Sequence, residues 1–141
     1  MRQALYLLMM LAGIVTMGCE PTMDLPPGFV EVNRDDGEYD MRAVSADGVV
    51  VGVRSEPNPK QGGLEFWAKA VEKELAGRRG YALSAREDMG PAINPDGVLM
   101  TFDVTKQATD FRYLVAVFVR FQKVVIAEAG GPTDAVEPIE A

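Results

Sequence analysis

The chain has 141 residues, a formal net charge of −7 from 14 Lys and Arg against 21 Asp and Glu, no histidine and one cysteine. This length allows one domain with a short targeting segment, and the excess of acidic residues argues against a nucleic-acid partner. The lack of histidine excludes Ser-His-Asp and Cys-His nucleophile pairs and the commonest zinc sites, and a single cysteine excludes intrachain disulfides.

The first 18 residues have the composition of a secretory signal peptide. Arg2 is the only charged residue among them, and an apolar run follows at residues 4–15. This run is shorter than the roughly 20 residues that a membrane-spanning helix needs. Its apolar side chains would lie on every face of a helix, which is not the pattern of an amphipathic surface helix. The pattern predicts a signal segment over residues 1–18.

The end of this segment, Gly18-Cys19, resembles the lipobox of bacterial lipoproteins, although Thr16 and Met17 depart from that family's aliphatic and small residues. The resemblance implies cleavage between Gly18 and Cys19 and acylation of Cys19. Two or three acyl chains hold a protein firmly at a bilayer, whereas one chain gives reversible binding. Glu20 is not the aspartate linked in such lipoproteins with inner-membrane retention, which favours the periplasmic face of the outer membrane. An ordinary secreted protein and an uncleaved anchor are the alternatives.

The rest of the chain divides into three parts. Residues 19–28 comprise the lipidated cysteine and a proline-rich stretch that we expect to be an extended tether. Residues 29–131 are enough for a single independent domain. Residues 132–141 are expected to form a C-terminal tail or a short helix.

Strand patterns dominate the domain. Seven segments have the apolar spacing typical of strands: residues 29–33, 39–45, 49–55, 81–88, 97–104, 111–119 and 123–129. In the second segment, Tyr39, Met41 and Ala43 are expected to share one face. Asp47-Gly48 then predicts a tight turn, because an Asp-Gly pair tolerates positive φ. The last two segments are separated by three residues and should pair as the central hairpin.

One segment, residues 64–76, has helical periodicity instead. Its apolar residues form one stripe: Leu64, Trp67, Ala68, Val71 and Leu75. Gly77 is expected as the left-handed residue just past the end of the helix. These elements predict an α+β domain, with an antiparallel sheet of six to seven strands and one main amphipathic helix packed on it.

This order of elements, over residues 39–139, resembles the Mog1/PsbP-like domains of small envelope and thylakoid-lumen proteins. The most suggestive stretch is residues 124–139, in which we expect a final strand to break at Gly130-Gly131. Three apolar residues then suit a short terminal helix: Ala135, Val136 and Ile139. The resemblance implies a non-catalytic scaffold or assembly role.

The densest acidic cluster comprises Asp35, Asp36, Glu38 and Asp40. Carboxylate oxygens are the ligands that hard cations prefer, but the spacing does not match an EF-hand loop. Asp and Gly are also ordinary turn residues, so a solvated turn is the preferred interpretation and weak Ca²⁺ binding is the alternative.

No catalytic residue and no cofactor are predicted. Glu87 and Asp88 would need Asp103 or Glu128 as a partner for acid–base chemistry, and nothing in the sequence brings these side chains together. Phosphate-binding loops, dinucleotide fingerprints and nucleophile elbows are absent from the sequence.

Ligand-binding residues cannot be identified from the sequence, and the loop at residues 89–95 is the candidate binding edge. The periodically placed aromatic residues are assigned to the core: Trp67, Tyr81, Phe102, Phe111 and Tyr113.

These observations predict an envelope lipoprotein held to the membrane through Cys19, with a non-catalytic binding or assembly domain that meets another envelope protein. One alternative is a periplasmic carrier of a small apolar ligand, held between the helix and the sheet. A carboxylate-dependent envelope enzyme is the other alternative.

Overall fold

A computed structural model describes residues 21–32, 37–89, 96–120 and 122–140. Seven strands and two helices follow one another in these residues. The elements are β1 (Phe29–Glu31), β2 (Met41–Ser45), β3 (Val50–Pro57), α1 (Leu64–Glu72), β4 (Ala82–Asp88), β5 (Gly97–Lys106), β6 (Thr109–Arg120), β7 (Lys123–Pro132) and α2 (Thr133–Glu140). The strands form one antiparallel sheet in the order β1-β2-β3-β7-β6-β5-β4. The predicted α+β class, the antiparallel sheet and the single main helix are confirmed.

Both hairpins expected from the sequence are present. Gly48 has φ +85° and its N–H donates to the carbonyl of Ser45 at 3.1 Å, which closes the turn between β2 and β3. Arg120 and Lys123 are register partners where β6 turns into β7, the central strand of the sheet.

The predicted strand break at Gly130-Gly131 is wrong. β7 continues to Pro132, and Gly130 pairs with Val50 on one side and Tyr113 on the other. Pairing with β3 and β6 keeps Gly130 extended, and pairing with β6 keeps Gly131 extended, so their low strand propensity does not decide the outcome.

Large parts of both faces of the central strands are buried, which explains the continuous apolar runs of β6 and β7. On the α1 face, alternate residues of β5, β6 and β7 pack with Ala68 and Leu75; the strand residues are Val98, Met100, Phe102, Val115, Val117, Val124 and Ile126. On the opposite face, Leu114, Ala116 and Phe118 of β6 pack with Val136 of α2. The C-terminal residues therefore form the expected helix, and Val136 is its buried anchor.

Helix α1 continues through a π-helical turn, Lys73–Arg78, and so ends later than expected. The prediction that Gly77 follows the helix in the left-handed conformation is wrong. Gly77 lies inside the π-helical turn, and Gly80 is the residue with positive φ, at +73°. The reason is a wider hydrogen-bonding pattern, in which the N–H of Arg79 bonds to the carbonyl of Glu74, five residues earlier.

The described part of the expected tether, residues 21–28, contains neither helix nor strand, but it is not entirely free of the domain. Met23 is 5% exposed and belongs to the core on the α2 face, and Leu25 packs against the same core. The N–H of Met23 lies 3.4 Å from the sulfur of Met41. Met23 and Leu25 therefore pack with the domain and are not part of a free spacer.

Among the described residues, no helix is both long and apolar enough to cross a lipid bilayer.

Candidate functional site

A row of register partners crosses β2, β3 and β7 on the face of the sheet that carries α1. Arg42 pairs with Gly52, and Gly52 pairs with Glu128. The next row places Gly130 beside Tyr113. Directly opposed residues point to the same side of a sheet, so these positions share one surface. Because α1 contacts β5 and β6, this part of the surface lies beyond the helix.

Two glycines allow two tyrosine rings to lie against the backbone of this surface. A Cβ on Gly52 would lie 2.8 Å from Cδ1 of Tyr39, and a Cβ on Gly130 would lie 2.6 Å from Cδ2 of Tyr113. Both distances are too short for any residue other than glycine without movement of the rings. The absence of side chains at Gly52 and Gly130 therefore leaves the space in which the rings of Tyr39 and Tyr113 lie.

The expectation that Tyr39 shares a face with Met41 and Ala43 is wrong. Met41 and Ala43 belong to the core on the α2 face, whereas Tyr39 contacts Gly52 on the α1 face. Strand β2 begins only at Met41, so the strand alternation does not extend back to Tyr39.

The two tyrosines converge on one carboxylate. The hydroxyl of Tyr39 donates to Oε2 of Glu128 at 2.8 Å, and Tyr113 also hydrogen-bonds to Glu128. Arg54 places its buried Nε 3.6 Å from Oε1, which makes an ion pair. The Glu128 side chain is only 12% exposed, so these contacts hold a nearly buried charge.

Both phenols keep their protons near neutral pH. Burial, followed by the negative charge of Glu128 and the hydrogen bond to it, raises the pKa of Tyr39 well above its usual range. The same causes, in the same order, raise the pKa of Tyr113. Each phenol is therefore a hydrogen-bond donor, and neither is suited to act as a base at physiological pH.

This arrangement forms one side of an open hollow of about 410 Å³, here called the tyrosine hollow. The strands beneath it are β3, β7 and β6. Its lining includes Tyr39, Val50, Gly52, Tyr81, Val104, Phe111, Tyr113, Glu128 and Gly130, with Arg42 and Lys106 among its charged residues. The rings of Tyr81 and Tyr113 meet edge to face, with centroids 6.0 Å apart.

The aromatic residues that were assigned to the core separate into two groups. Phe102 is fully buried, and Trp67 packs against the core beneath α1. Tyr81, Phe111 and Tyr113 are only partly buried and line the tyrosine hollow. In the sequence, the residue that could have indicated this site is Glu128, because it is the only charged residue within β7 after Lys123.

The carboxylates considered for catalysis are not brought together. On β5, Leu99 is the partner of Glu87 and lies four residues from Asp103, a separation of about 13 Å along the strand. Asp103 instead accepts a 2.9 Å hydrogen bond from Nε of Arg112. Glu128 is on β7, which β6 separates from β5.

The acidic cluster is only partly described. Asp35 and Asp36 lie outside the described residues, whereas Oδ2 of Asp40 accepts a hydrogen bond from the Ser55 hydroxyl at 3.0 Å. Within the described ranges, no group of three or more metal-binding side chains occurs. The solvated turn, and weak Ca²⁺ binding by Asp35, Asp36, Glu38 and Asp40 as its alternative, stay predictions.

Two other predictions concern residues that are largely outside the described part. Gly18 and Cys19, the predicted cleavage and acylation positions, both lie there. In the candidate binding edge at residues 89–95, only Met89 is described, and it is 3% exposed within the core on the α2 face.

No protein-family model matches the sequence, and no curated protein is significantly similar to it. Among solved structures, the chain is similar to cyanobacterial PsbP (CyanoP) from Synechocystis sp. PCC 6803, with a TM-score of 0.63 and 12% identity. That likeness covers 82% of this chain and 76% of CyanoP. The PA94 protein of Pseudomonas aeruginosa is also similar, with a TM-score of 0.49 and 14% identity over 79% of this chain and 72% of PA94. At this level of identity the likeness to CyanoP concerns the fold, and the domain has a PsbP-like α+β fold.

Proposed function

We propose that this chain is a lipid-anchored protein of the bacterial envelope whose domain is a non-catalytic binding module. The anchor is supported by the charge pattern and apolar run of residues 1–18 and by the single cysteine directly after Gly18. The binding role is supported by the tyrosine hollow, an open concave surface with aromatic walls.

The position of Met23 supports a domain held close to the bilayer. Met23 is part of the core, and four residue steps separate it from Cys19. An extended chain covers at most about 3.6 Å per residue, so an acylated Cys19 would lie within about 14 Å of Met23. A domain tethered in this way is confined near the membrane and presents a restricted set of surfaces to partners there.

The chemistry of the tyrosine hollow favours binding over catalysis. Its carboxylate, Glu128, is occupied by two phenol donors and by Arg54. The phenols of Tyr39 and Tyr113 hold their protons because their pKa values are raised. An acid–base reaction needs a group that can gain and lose a proton near the working pH. The contacts within the hollow instead fix a rigid surface, and this is the observation that carries the binding proposal.

The anchor is tested by Cys19→Ala in the full chain expressed in a bacterium, with Thr22→Ala as the matched control. Cys19→Ala should abolish incorporation of a labelled fatty acid and move the protein from the membrane fraction to the soluble fraction. Thr22→Ala should leave both unchanged. Membrane retention and unchanged labelling of Cys19→Ala would overturn the proposed anchor.

The proposed location is the periplasmic face of the outer membrane, on the basis of Glu20. Density separation of the two membranes should place the native chain with the outer membrane, and Glu20→Asp should shift it toward the inner membrane. Recovery of the native chain with the inner membrane would contradict this location.

The enzyme alternative is tested through the carboxylates that sequence reasoning singled out. Glu87→Ala and Asp88→Ala would each remove a carboxylate outside the tyrosine hollow, whereas Asp103→Ala would also remove the partner of Arg112, which lines the hollow. A hydrolytic activity of the purified full chain that any of these substitutions abolishes would overturn the binding proposal.

A partner in the envelope is tested by crosslinking in intact cells. The native chain should give discrete adducts with another envelope protein, and a Cys19→Ala chain displaced from the membrane should lose them. Adducts that are the same for both chains would contradict a membrane-localised partner.

A second candidate function, a small-molecule carrier, is favoured by the volume and aromatic walls of the tyrosine hollow.

A further inference from the structure

We infer that the tyrosine hollow binds a small molecule with a flat apolar body and one anionic group. This inference rests on the binding role proposed above and names the class of ligand that the site would take.

The lining of the hollow suits a flat apolar body. The rings of Tyr39 and Tyr113 cover Gly52 and Gly130, and Val50 lies beside Gly130 in the row that also contains Tyr113. The walls are aromatic: Tyr39, Tyr81, Phe111 and Tyr113. Aromatic rings bind planar groups by stacking or edge-to-face contact. The volume of about 410 Å³ lies in the range of small-molecule sites.

Two cations flank this surface from opposite sides. Arg42 is on β2 and Lys106 is on β5, so the three strands beneath the hollow lie between them. Arg42 is exposed, and within the described ranges no hydrogen bond or ion pair engages its guanidinium group. Within the part of the chain that the structure describes, Lys106 has only a neutral contact, a 3.3 Å hydrogen bond to the Tyr81 hydroxyl, and its Nζ lies 5.2 Å from the centre of that ring. Among the described residues, neither cation is therefore paired with a carboxylate.

The other two charged side chains of the lining, Glu128 and Arg112, already have partners of opposite charge. Glu128 accepts hydrogen bonds from Tyr39 and Tyr113 and faces Arg54. Arg112 is held by Asp103 at 2.9 Å and by Glu137 at 3.5 Å. As far as the described residues go, the uncompensated charge of the hollow is therefore positive.

A cationic ligand would bind this hollow less favourably than an anionic ligand. It would have to compete with Arg54 and two phenol donors for the oxygens of Glu128, and it would be repelled by Arg42 and Lys106. The geometry thus favours an aromatic or similarly flat carboxylate or sulfonate over an amine of the same shape.

The test uses the full chain in a nonionic detergent and a benzoate that carries a photoreactive diazirine. The neutral benzyl alcohol with the same diazirine is the matched probe. After irradiation, peptide mass spectrometry should place the benzoate label on residues of the hollow such as Tyr39, Tyr81 and Phe111. An excess of 2-naphthoate should compete the label away.

Charge specificity is tested with Arg42→Gln and Lys106→Gln, and Lys60→Gln serves as a control for an exposed cation outside the hollow. At least one of the first two should reduce benzoate labelling by about threefold, since the single anionic group contacts one of these widely separated cations and that solvent-exposed contact is lost. Labelling by the neutral probe should not change, and Lys60→Gln should behave as the native chain. Circular dichroism should show the same folded spectrum for all variants.

Labelling that is spread over the surface, or that 2-naphthoate does not displace, would overturn the inference. Equal effects of the variants on both probes would also overturn it, because the anionic group would then contribute nothing. The test is independent of membrane anchoring, which the Cys19→Ala experiment decides separately, so failure of one proposal is distinguishable from failure of the other.

Discussion

The hydroxyl of Tyr39 donates a 2.8 Å hydrogen bond to Oε2 of Glu128, although 89 residues separate the two in the chain. Tyr39 lies just before β2, near one edge of the sheet, and Glu128 lies on the central strand β7. The bond therefore spans β3. It fixes the side of the tyrosine hollow that lies next to the short edge strands β1 and β2.

Tyr39→Phe should lower the free energy of unfolding by about 1–2 kcal/mol, because Glu128 would lose a donor in a nearly buried position. Urea denaturation followed by far-ultraviolet circular dichroism measures the change. Tyr81→Phe is the matched control, since the Tyr81 hydroxyl only accepts a bond from the exposed Lys106 and its loss should cost less than about 0.5 kcal/mol. Equal losses for the two variants would contradict the role given to the Tyr39 bond.

Gly130→Ala should destabilise the domain by about 1–3 kcal/mol, because the new Cβ would lie 2.6 Å from the ring of Tyr113 and the ring would have to move. Gly77→Ala is the control. The added Cβ there meets only Cγ of Lys73 at 3.7 Å, and a helical Ala is favoured over Gly by about 1 kcal/mol. Thermal unfolding should therefore show a lower midpoint for the first variant and an equal or higher one for the second. A neutral Gly130→Ala would show that Tyr113 does not need this space.

The stability of the domain should depend on Asp103 at acid pH. Burial raises the pKa of Asp103, but hydrogen bonds from Arg112 and Ser84 outweigh burial and hold it below the ordinary value of 3.8. A depressed pKa in the folded state contributes stability that is complete above the unfolded pKa and is lost as the pH falls through the folded pKa. The Asp103 side chain is 38% exposed, so water screens the pair and the contribution is on the order of 0.5 kcal/mol.

Asp103→Asn should therefore be less stable than the native chain near pH 6, and the difference should shrink as the pH falls below about 3.8. Urea titrations at a series of pH values measure this difference in the free energy of unfolding between Asp103→Asn and the native chain. A difference for Asp103→Asn that grows toward acid pH would have the wrong sign for this assignment.

Met23→Ala should cost about 2–4 kcal/mol, since Met23 is 5% exposed within the core on the α2 face. Thr22→Ala removes an exposed side chain from the adjacent position and should change the free energy of unfolding by less than about 0.5 kcal/mol. Chemical denaturation of both variants compares them directly. If Met23→Ala were as stable as Thr22→Ala, the segment at residues 21–28 would be a free tether.

Local patterns in the sequence determined the existence and type of the main elements. The alternation in residues 97–104 and 111–119 predicts β5 and β6, and the apolar stripe of residues 64–76 predicts α1, because each pattern matches the geometry of one element. Asp47-Gly48 identifies its turn for the same local reason. The turn between β5 and β6 has no such signal, since Gln107 and Ala108 adopt positive φ, at +50° and +62°. There the pairing of two long strands imposes a backbone that neither residue prefers.

The tertiary structure alone decided the tyrosine hollow. Tyr39, Gly52, Tyr113 and Glu128 come from four separate segments, and only the strand order and register place them side by side. The same pairing extends β7 through Gly130, and Tyr39, which precedes the first residue of β2, lies on the face opposite to Met41. Composition and charge excluded histidine-dependent chemistry at the start, because they depend only on which residues are present. The site depends on long-range contacts between strands, which no local pattern encodes.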